Sequence, residues 1–507
     1  MREVEVRVGG LEAADADVAA LVLPAREDLP EAGARADDWL NGALSRRIRE
    51  EGFRGEAGET CFFPTSGDRP HVLAVGPGED GEGDGRLSPA ERLRRAAGVA
   101  VRSARRQRAG SVAFLPDPVL AAEAGVDGAG ASAEGLVLGD WSLESYLGEE
   151  ARSERPPPPS RASLVWPGES DRSVDRLSSA VGRGRALAEA QNAARELVAG
   201  PPNVVTPRHL ARKAREIGEE HGLSVRSWGP ERLREEGFGA LLAVARGSSR
   251  EPRFIVLEHD GGRPEDRPYV VAGKGVTFDS GGISLKPSEG MDDMKFDMGG
   301  AAAVIGALRA VAELDLPRRV VGLIPAAENL PSGTALKPSD VIRGVSGTSI
   351  EVVNTDAEGR LLLSDTLSWA RRELEPRAVV DLATLTGGCV VALGHEATGL
   401  MANDDELAAR VGEAGNRTGE FTWRLPLWPP YREALDSDIA DIRNSAGKEA
   451  SAITAGWFLR EFVGDELPWV HLDIAGTAWT EEARPYHREG PTGIGVRLVV
   501  EWLRSEE

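Results

Sequence analysis

The 507-residue sequence predicts an α/β protein: a smaller N-terminal α/β domain, then a larger C-terminal α/β domain with a mainly parallel sheet flanked by helices. Three observations predict this. The chain is too long for one ordinary core, so two domains are expected. Strand-like and helix-like periods alternate along it, the pattern of a sheet covered on both faces. The stretch SERPPPPSRAS (153–163) interrupts that pattern, because four consecutive prolines cannot join a helix or a central strand. The expected division is an N-terminal domain at 1–160, a linker and lead-in at 161–174, and a second domain at 175–507.

In the first third, EVEVRV (3–8), VAALVLPA (18–25), HVLAVG (71–76) and SVAFLP (111–116) read as strands. Helical patterns lie between them near 36–51 and 88–107, and GPGEDGEGDGRLSP (76–89) has the composition of a surface loop. The second domain begins with a long helical pattern at 175–198, a break at PPNVVTP and a helix at 207–221. Strand candidates follow at 223–228, 253–259, 269–273, 319–325, 349–353 and 378–383. Helical stretches at 299–314 and 361–374 separate several of them. In such sheets, sites form just beyond the carboxyl ends of strands, where Lys274 and Asp356 fall.

Composition narrows the function. A formal net charge of −22 disfavours nucleic acid as the main ligand, since that affinity depends on a basic footprint. No run of about 18 apolar residues is present, so no membrane span is expected. The N-terminus has no signal-peptide pattern, which points to the cytoplasm. Cys61 and Cys389 cannot build a disulfide framework and are expected as reduced, buried thiols. The chain writes 54 of its 60 cations as arginine, yet sets Lys274 and Lys286 twelve residues apart.

Those lysines belong to the first of three loops with chemical potential. GKGVTFDSGGISLK carries Lys274, Asp279 and Lys286; MDDMKFDMGGAA carries Asp297; NTDAEGRLLL carries Asp356, Glu358 and Arg360 at alternate positions. In extended chain, alternate residues project to one side, so the last three are expected to share a pocket. Each loop alone is a weak signal: GxxxxGK[ST], GxGxxG and HExxH are all absent. His259 and His395 are read as structural or surface groups. Any metal held here would see mostly oxygen, which suits magnesium, manganese or a carboxylate-rich zinc site.

Together the loops resemble the leucine aminopeptidase, or cytosol aminopeptidase, family. NTDAEGR is that family's signature, and PPNVVTP, DLATLTG, HLDIAGTAW and PTGIGVR extend the resemblance over nearly the whole second domain. The resemblance implies a metallo-exopeptidase that releases N-terminal residues, leucine and other apolar ones preferred, through a water activated by two divalent metals. Manganese or zinc comes first for these ions, with magnesium or cobalt as alternatives. Lys274, Asp279, Asp297, Asp356 and Glu358 match the metal ligands, with Asp279 and Glu358 bridging both ions. Lys286 and Arg360 match the catalytic pair, Arg360 holding a bicarbonate that serves as general base. Met294, Leu385, Ala475 and Ala478 match positions of the substrate pocket, although core packing accounts for such residues equally well.

Charge counting supports a special role for Lys274. Four carboxylates balance two divalent ions only if the ligating lysine is neutral, a state arginine cannot reach. Lys286 is expected to stay protonated and to stabilise oxygen charge as the peptide carbonyl is attacked. Lys213, Lys295, Lys337 and Lys448 are read as solvated surface. The family also implies a homohexamer acting on peptides. Two rivals remain: a two-metal phosphoesterase, for which cationic contacts are scarce, and a DNA- or nucleotide-binding role, which the net charge disfavours.

Overall fold

The computed structural model describes residues 3–24, 28–50, 52–78, 87–168, 174–262 and 266–506. The chain divides into two compact units, Met1–Glu189 with Glu481–Glu489, and Ala190–Thr480 with Gly490–Glu507. In the first unit, β1 (Glu3–Val8), β2 (Val18–Val22), β3 (Thr60–Phe63), β4 (His71–Val75), β5 (Ser111–Leu115) and β6 (Arg161–Trp166) form one sheet. Its order is β1-β6-β5-β2-β4-β3, parallel except where β3 runs against β4. The Gly- and Ala-rich segment Pro118–Asp140, two helical stretches joined at a kink where Gly125 has φ +57°, has weak intrinsic propensity and no clear sequence signal. It forms because its glycines let it pack backbone to backbone on the helix Pro89–Arg106. A Cβ at Gly135 would lie 2.1 Å from the Arg94 carbonyl oxygen, and one at Gly139 would lie 2.7 Å from that of Gly98.

The proline run does not separate the two units. It links the helix Glu149–Glu154 to β6, whose backbone pairs with both β1 and β5. Residues 161–166, expected as lead-in, are therefore an interior strand, buried along nearly its whole length. Positions 169–173 of that lead-in, and 79–86 of the acidic loop, lie outside the described residues. The segment Glu481–Glu489 also joins the first unit, where Tyr486 Oη donates to Glu91 Oε1 (3.1 Å) and Arg102 Nη1 to the His487 carbonyl (2.8 Å).

The second unit is built on β7 (Ser224–Trp228), β8 (Arg253–Asp260), β9 (Tyr269–Gly273), β10 (Gly275–Asp279) and β11 (Arg319–Asn329), with more strands further along. A small separate sheet contains β12 (Val341–Arg343) and β13 (Ser349–Glu351). The main sheet continues with β14 (Ala378–Ala383), β15 (Thr398–Ala402) and β16 (Thr422–Arg424). Then β17 (Ile442–Arg443) completes the small sheet and β18 (Trp469–Asp473) the large one. The large sheet runs β16-β15-β18-β14-β9-β11-β8-β7, with β10 paired to β11. It is mixed and mostly parallel: β15, β8 and β7 enter antiparallel contacts, while β18, β14, β9, β11 and β10 run side by side in one direction. Of the strand expected at SIEVV only Ser349–Glu351 forms, and β13 belongs to the small sheet because β12 and β17 satisfy its backbone.

Side-chain alternation sorts the helices between the faces. Val270, Ala272, Val321 and Leu323 share a core with Leu361–Leu363 and Leu367 of the helix Gly359–Leu374. Gly322, on the other face, packs against Val304 and Leu308 of the helix Gly299–Glu313. Both cysteines are free, Cys389 buried and Cys61 only half-buried. Among the described residues no helix is long and apolar enough to cross a membrane.

Candidate active site

The carboxyl ends of the five co-directional strands supply the site, as open α/β sheets do. Lys274 follows β9, Asp279 ends β10, Asn329 ends β11, Thr384 follows β14 and Asp473 ends β18. Lys274 is clamped: its amide donates to the Leu382 carbonyl (3.0 Å) and its carbonyl accepts from Ala301 N (2.8 Å). Its side chain passes over Gly359, where any Cβ would lie 2.6 Å from Lys274 Cδ and Cε. The glycine of NTDAEGR thus makes room for the lysine stem.

Lys274 is 3% exposed. Its Nζ lies 2.8 Å from Asp297 Oδ1, 2.8 Å from Glu358 Oε1 and 2.8 Å from the Thr384 carbonyl oxygen. Lys286 Nζ meets Asp279 Oδ2 at 2.9 Å and also Asp356 Oδ1. The four carboxylates are therefore divided into two pairs, each pair holding one ammonium. Asp279, Asp356 and Glu358 each bring an oxygen within 4.8 Å of the others. Asp279 is aimed by Gly281 N (2.9 Å) and Asn329 Nδ2 (2.8 Å), and Asp297 by Thr384 Oγ1 (2.7 Å).

Negative charge is in excess here. Burial first, then the Asp279 carboxylate, holds both Glu358 and Asp356 above the usual carboxylate range. For Lys274, burial acts to lower the pKa, but Asp297, Glu358 and Asp279 outweigh it and hold the amine above its ordinary value. These neighbours favour the ammonium, not the neutral amine that charge counting suggested. Glu358 Oε2 and Asp297 Oδ2 are buried with no hydrogen-bond partner. Oxygens left this way are costly unless something cationic meets them, so the cage fits divalent ions.

Asp356, Glu358 and Arg360 of NTDAEGR do share the site, but not by extended alternation. Residues 355 and 356 form a turn, Glu358 caps the helix Gly359–Leu374, and Arg360 lies in its first turn. Arg360 Nη1 donates to the Asn444 carbonyl (2.8 Å), while its buried Nε has no hydrogen-bond partner. Burial pushes its pKa down to about 10.

Lys274, Asp279, Asp297, Asp356, Lys286 and Arg360 line one cavity of about 970 Å³. Met294, Leu385 and Ala475 line it too, with Val390 and Ile453 adding apolar wall. Ala478 does not. The Ile474 carbonyl accepts from both Thr477 N and Ala478 N, and that turn carries Ala478 into the core, 3% exposed. Lys448 is exposed, as expected, at a position that also lines the cavity. Lys213 and Lys337 pair with Glu216 (3.0 Å) and Asp340 (3.1 Å), and Lys295 lies 5.3 Å over the Trp479 ring. His259 and His395 have structural contacts, to the Leu316 (2.8 Å) and Gly476 (2.7 Å) carbonyls.

Sequence reasoning did not single out Asn329, Thr384, Asn444 or Asp473. Their signal is position, a polar residue at the end of a parallel strand or beside one. Asp473 is fully buried and fixes the cavity wall by accepting from Leu385 N (3.1 Å), Ala475 N (3.2 Å) and Thr386 Oγ1 (2.7 Å). Asp473→Ala strands these donors and is expected to cost about 3 kcal/mol of stability. Urea denaturation checks this, with Asp473→Asn, which keeps one acceptor oxygen, recovering most of the loss.

Comparison with known proteins agrees with this geometry. The profile of the cytosol aminopeptidase family, catalytic domain, matches residues 192–500, and that of its N-terminal domain matches 21–150. A probable cytosol aminopeptidase of Geotalea uraniireducens (strain Rf4) is 46% identical, over 92% of each chain. Its counterpart in Geobacter sulfurreducens is 45% identical over 96% of each. Among solved structures, a mutant of tomato leucine aminopeptidase superposes with a TM-score of 0.87 at 31% identity, covering 100% of this chain and 97% of that one. The bottromycin maturation enzyme BotP, in complex with Mn, gives 0.83 at 37%, covering 97% and 99%. Fold and site thus define a two-domain hydrolase of the aminopeptidase class. The chain belongs to the cytosol aminopeptidase family.

Proposed function

We propose that this chain is a metal-dependent aminopeptidase that removes leucine and other apolar residues from the N-termini of peptides, using two divalent ions and a bicarbonate. The observation that carries this reading is the cage itself: four buried or half-buried carboxylates, two of them with orphaned oxygens, around Lys274 and Lys286. Asp279, Glu358, Lys274, Asp297 and Asp356 would hold the two cations. The donors are hard oxygens plus one amine, which favours manganese or zinc. Bound there, divalent ions would supply Lewis acidity to the first peptide carbonyl and anchor the free α-amine.

The chain's own groups supply the rest. Burial lowers the Lys286 pKa, but Asp279, Glu358, Asp297 and Asp356 outweigh it, so this amine stays a cation at neutral pH. A fixed ammonium in a half-closed cavity stabilises oxygen charge as the carbonyl is attacked. Arg360, braced by Asn444 and with a free Nε, suits a small oxyanion such as bicarbonate. Lys274 becomes a neutral ligand only once cations take over its carboxylates. The apolar wall of Met294, Leu385, Ala475 and Ile453 suits an aliphatic first side chain. The family resemblance further supports a homohexamer, and the relatives' names a cytosolic location.

The test is leucine-anilide hydrolysis by chelator-treated protein, with manganese, zinc or magnesium restored separately. Activity is expected to vanish on stripping and to return with manganese or zinc, while a phosphate ester is left intact. Full activity after complete removal of metal sinks the reading.

A further inference from the structure

Two strands beyond β11, at the edge strand β7, the structure concentrates positive charge in an otherwise acidic chain. A cleft of about 1210 Å³ is lined by Arg208, Arg212, Arg215, Arg232, Arg234 and Arg253 against only two carboxylates, Glu231 and Glu251. The chain as a whole carries −22, so this density of cations is not an average property of the surface. The first three arginines project from one helix, Pro207–His221, whose N-terminal end, capped by Thr206, opens into the same cleft. The dipole of that end adds to the positive field.

Half of the arginines are already engaged. Arg212 pairs with Glu216, Arg232 with Glu235 (3.1 Å) and Glu236, and Arg253 with Glu251 (2.8 Å). Arg208, Arg215 and Arg234 have no ion pair or side-chain hydrogen bond among the described residues, and all three are exposed. Burial first, then Arg212 and Lys213, holds the His209 pKa below its ordinary value. Guanidinium groups present planar forks that match phosphate oxygens in pairs. No Phe, Tyr or Trp lines the cleft, so it offers charge in place of a broad stacking platform.

We propose that this cleft binds a small polyanion carrying two or more phosphate groups, recognised by charge and not by a base. It shares no lining residue with the catalytic cavity, so the two sites are separable.

Calorimetric titration of the full chain with tripolyphosphate, orthophosphate and citrate tests this. The comparison protein carries Arg208→Gln, Arg215→Gln and Arg234→Gln together. Both proteins keep the same acidic cage, so chelation of its ions and binding at Arg360 contribute equally and cancel. Tripolyphosphate is expected to bind the unaltered protein with a micromolar dissociation constant, at least about tenfold tighter than orthophosphate. The triple variant should bind it roughly 100-fold more weakly and hydrolyse leucine-anilide at the unaltered rate. Citrate binding as tightly as tripolyphosphate would overturn the assignment to phosphate. Equal binding by the variant, or no binding at about 1 mM ligand in dilute buffer, would overturn the site. A matching melting temperature establishes that the variant is folded.

Discussion

Glu358→Gln is expected to remove aminopeptidase activity by about 10³-fold or more, at least 4 kcal/mol in the barrier, without destabilising the metal-free protein. The two effects have one cause. Glu358 is 1% exposed, one oxygen meets only the Lys274 ammonium and the other meets nothing. Burial and the nearby Asp279 hold its pKa above the ordinary value, so the fold disfavours its ionised form relative to the unfolded chain. An amide of the same shape removes that penalty and gives up one ion pair with Lys274. It also removes a shared ligand of the proposed ions, which raises the affinity threshold at both positions. The melting temperature of stripped Glu358→Gln should therefore equal or exceed that of stripped unaltered protein. Added manganese should raise the melting point of the unaltered protein and leave the variant's where it was, because only a bound ligand shifts the folding equilibrium. A variant that melts early without metal, yet still responds to manganese, would show Glu358 to be structural.

How much of this was legible in the sequence differs between residues. Lys274, Asp279, Asp297, Asp356 and Glu358 could be named because the three loops together resemble the cytosol aminopeptidase family, each loop alone being a weak signal. Local character made the core strands readable: Tyr269–Gly273 and, apart from the buried Asp381, Ala378–Ala383 are apolar on both faces because helices cover both. What escaped was set by long-range packing. The prolines at 156–159 mark a break in hydrogen bonding, and nothing local says whether a break lies between domains or, as here, before β6. The segment Pro118–Asp140 depends on contacts 41 residues away in sequence, Gly135 on Arg94 and Gly139 on Gly98, which propensity cannot see. Asp473 looked like one more family match until its three donors converged from two separate segments. Ala478 went to the core instead of the pocket because a single turn decides which way it faces.

The second large effect separates three possible duties of Lys274: ligand, counter-charge and packing. Lys274→Arg is expected to lose activity by about 10³-fold and to hold at most one metal ion per chain, measured by elemental analysis after gel filtration. Space alone would resist the change, since Gly359 already lies so close that a Cβ would meet the lysine stem at 2.6 Å. The guanidinium also cannot shed its proton to become a donor. Lys274→Met removes the steric objection, because its length and volume are similar and it carries no charge. If lysine served only to neutralise Asp297 and Glu358, methionine would leave those carboxylates freer and strengthen metal binding. If lysine is a ligand, methionine weakens one ion and spares the other, which Asp356 and Asp279 would still hold through their oxygens. We expect the second outcome: about one ion retained in each variant, and activity absent from both. Two ions bound to Lys274→Met with full affinity would instead assign Lys274 to charge balance, and the neutral-amine ligand would have to be abandoned.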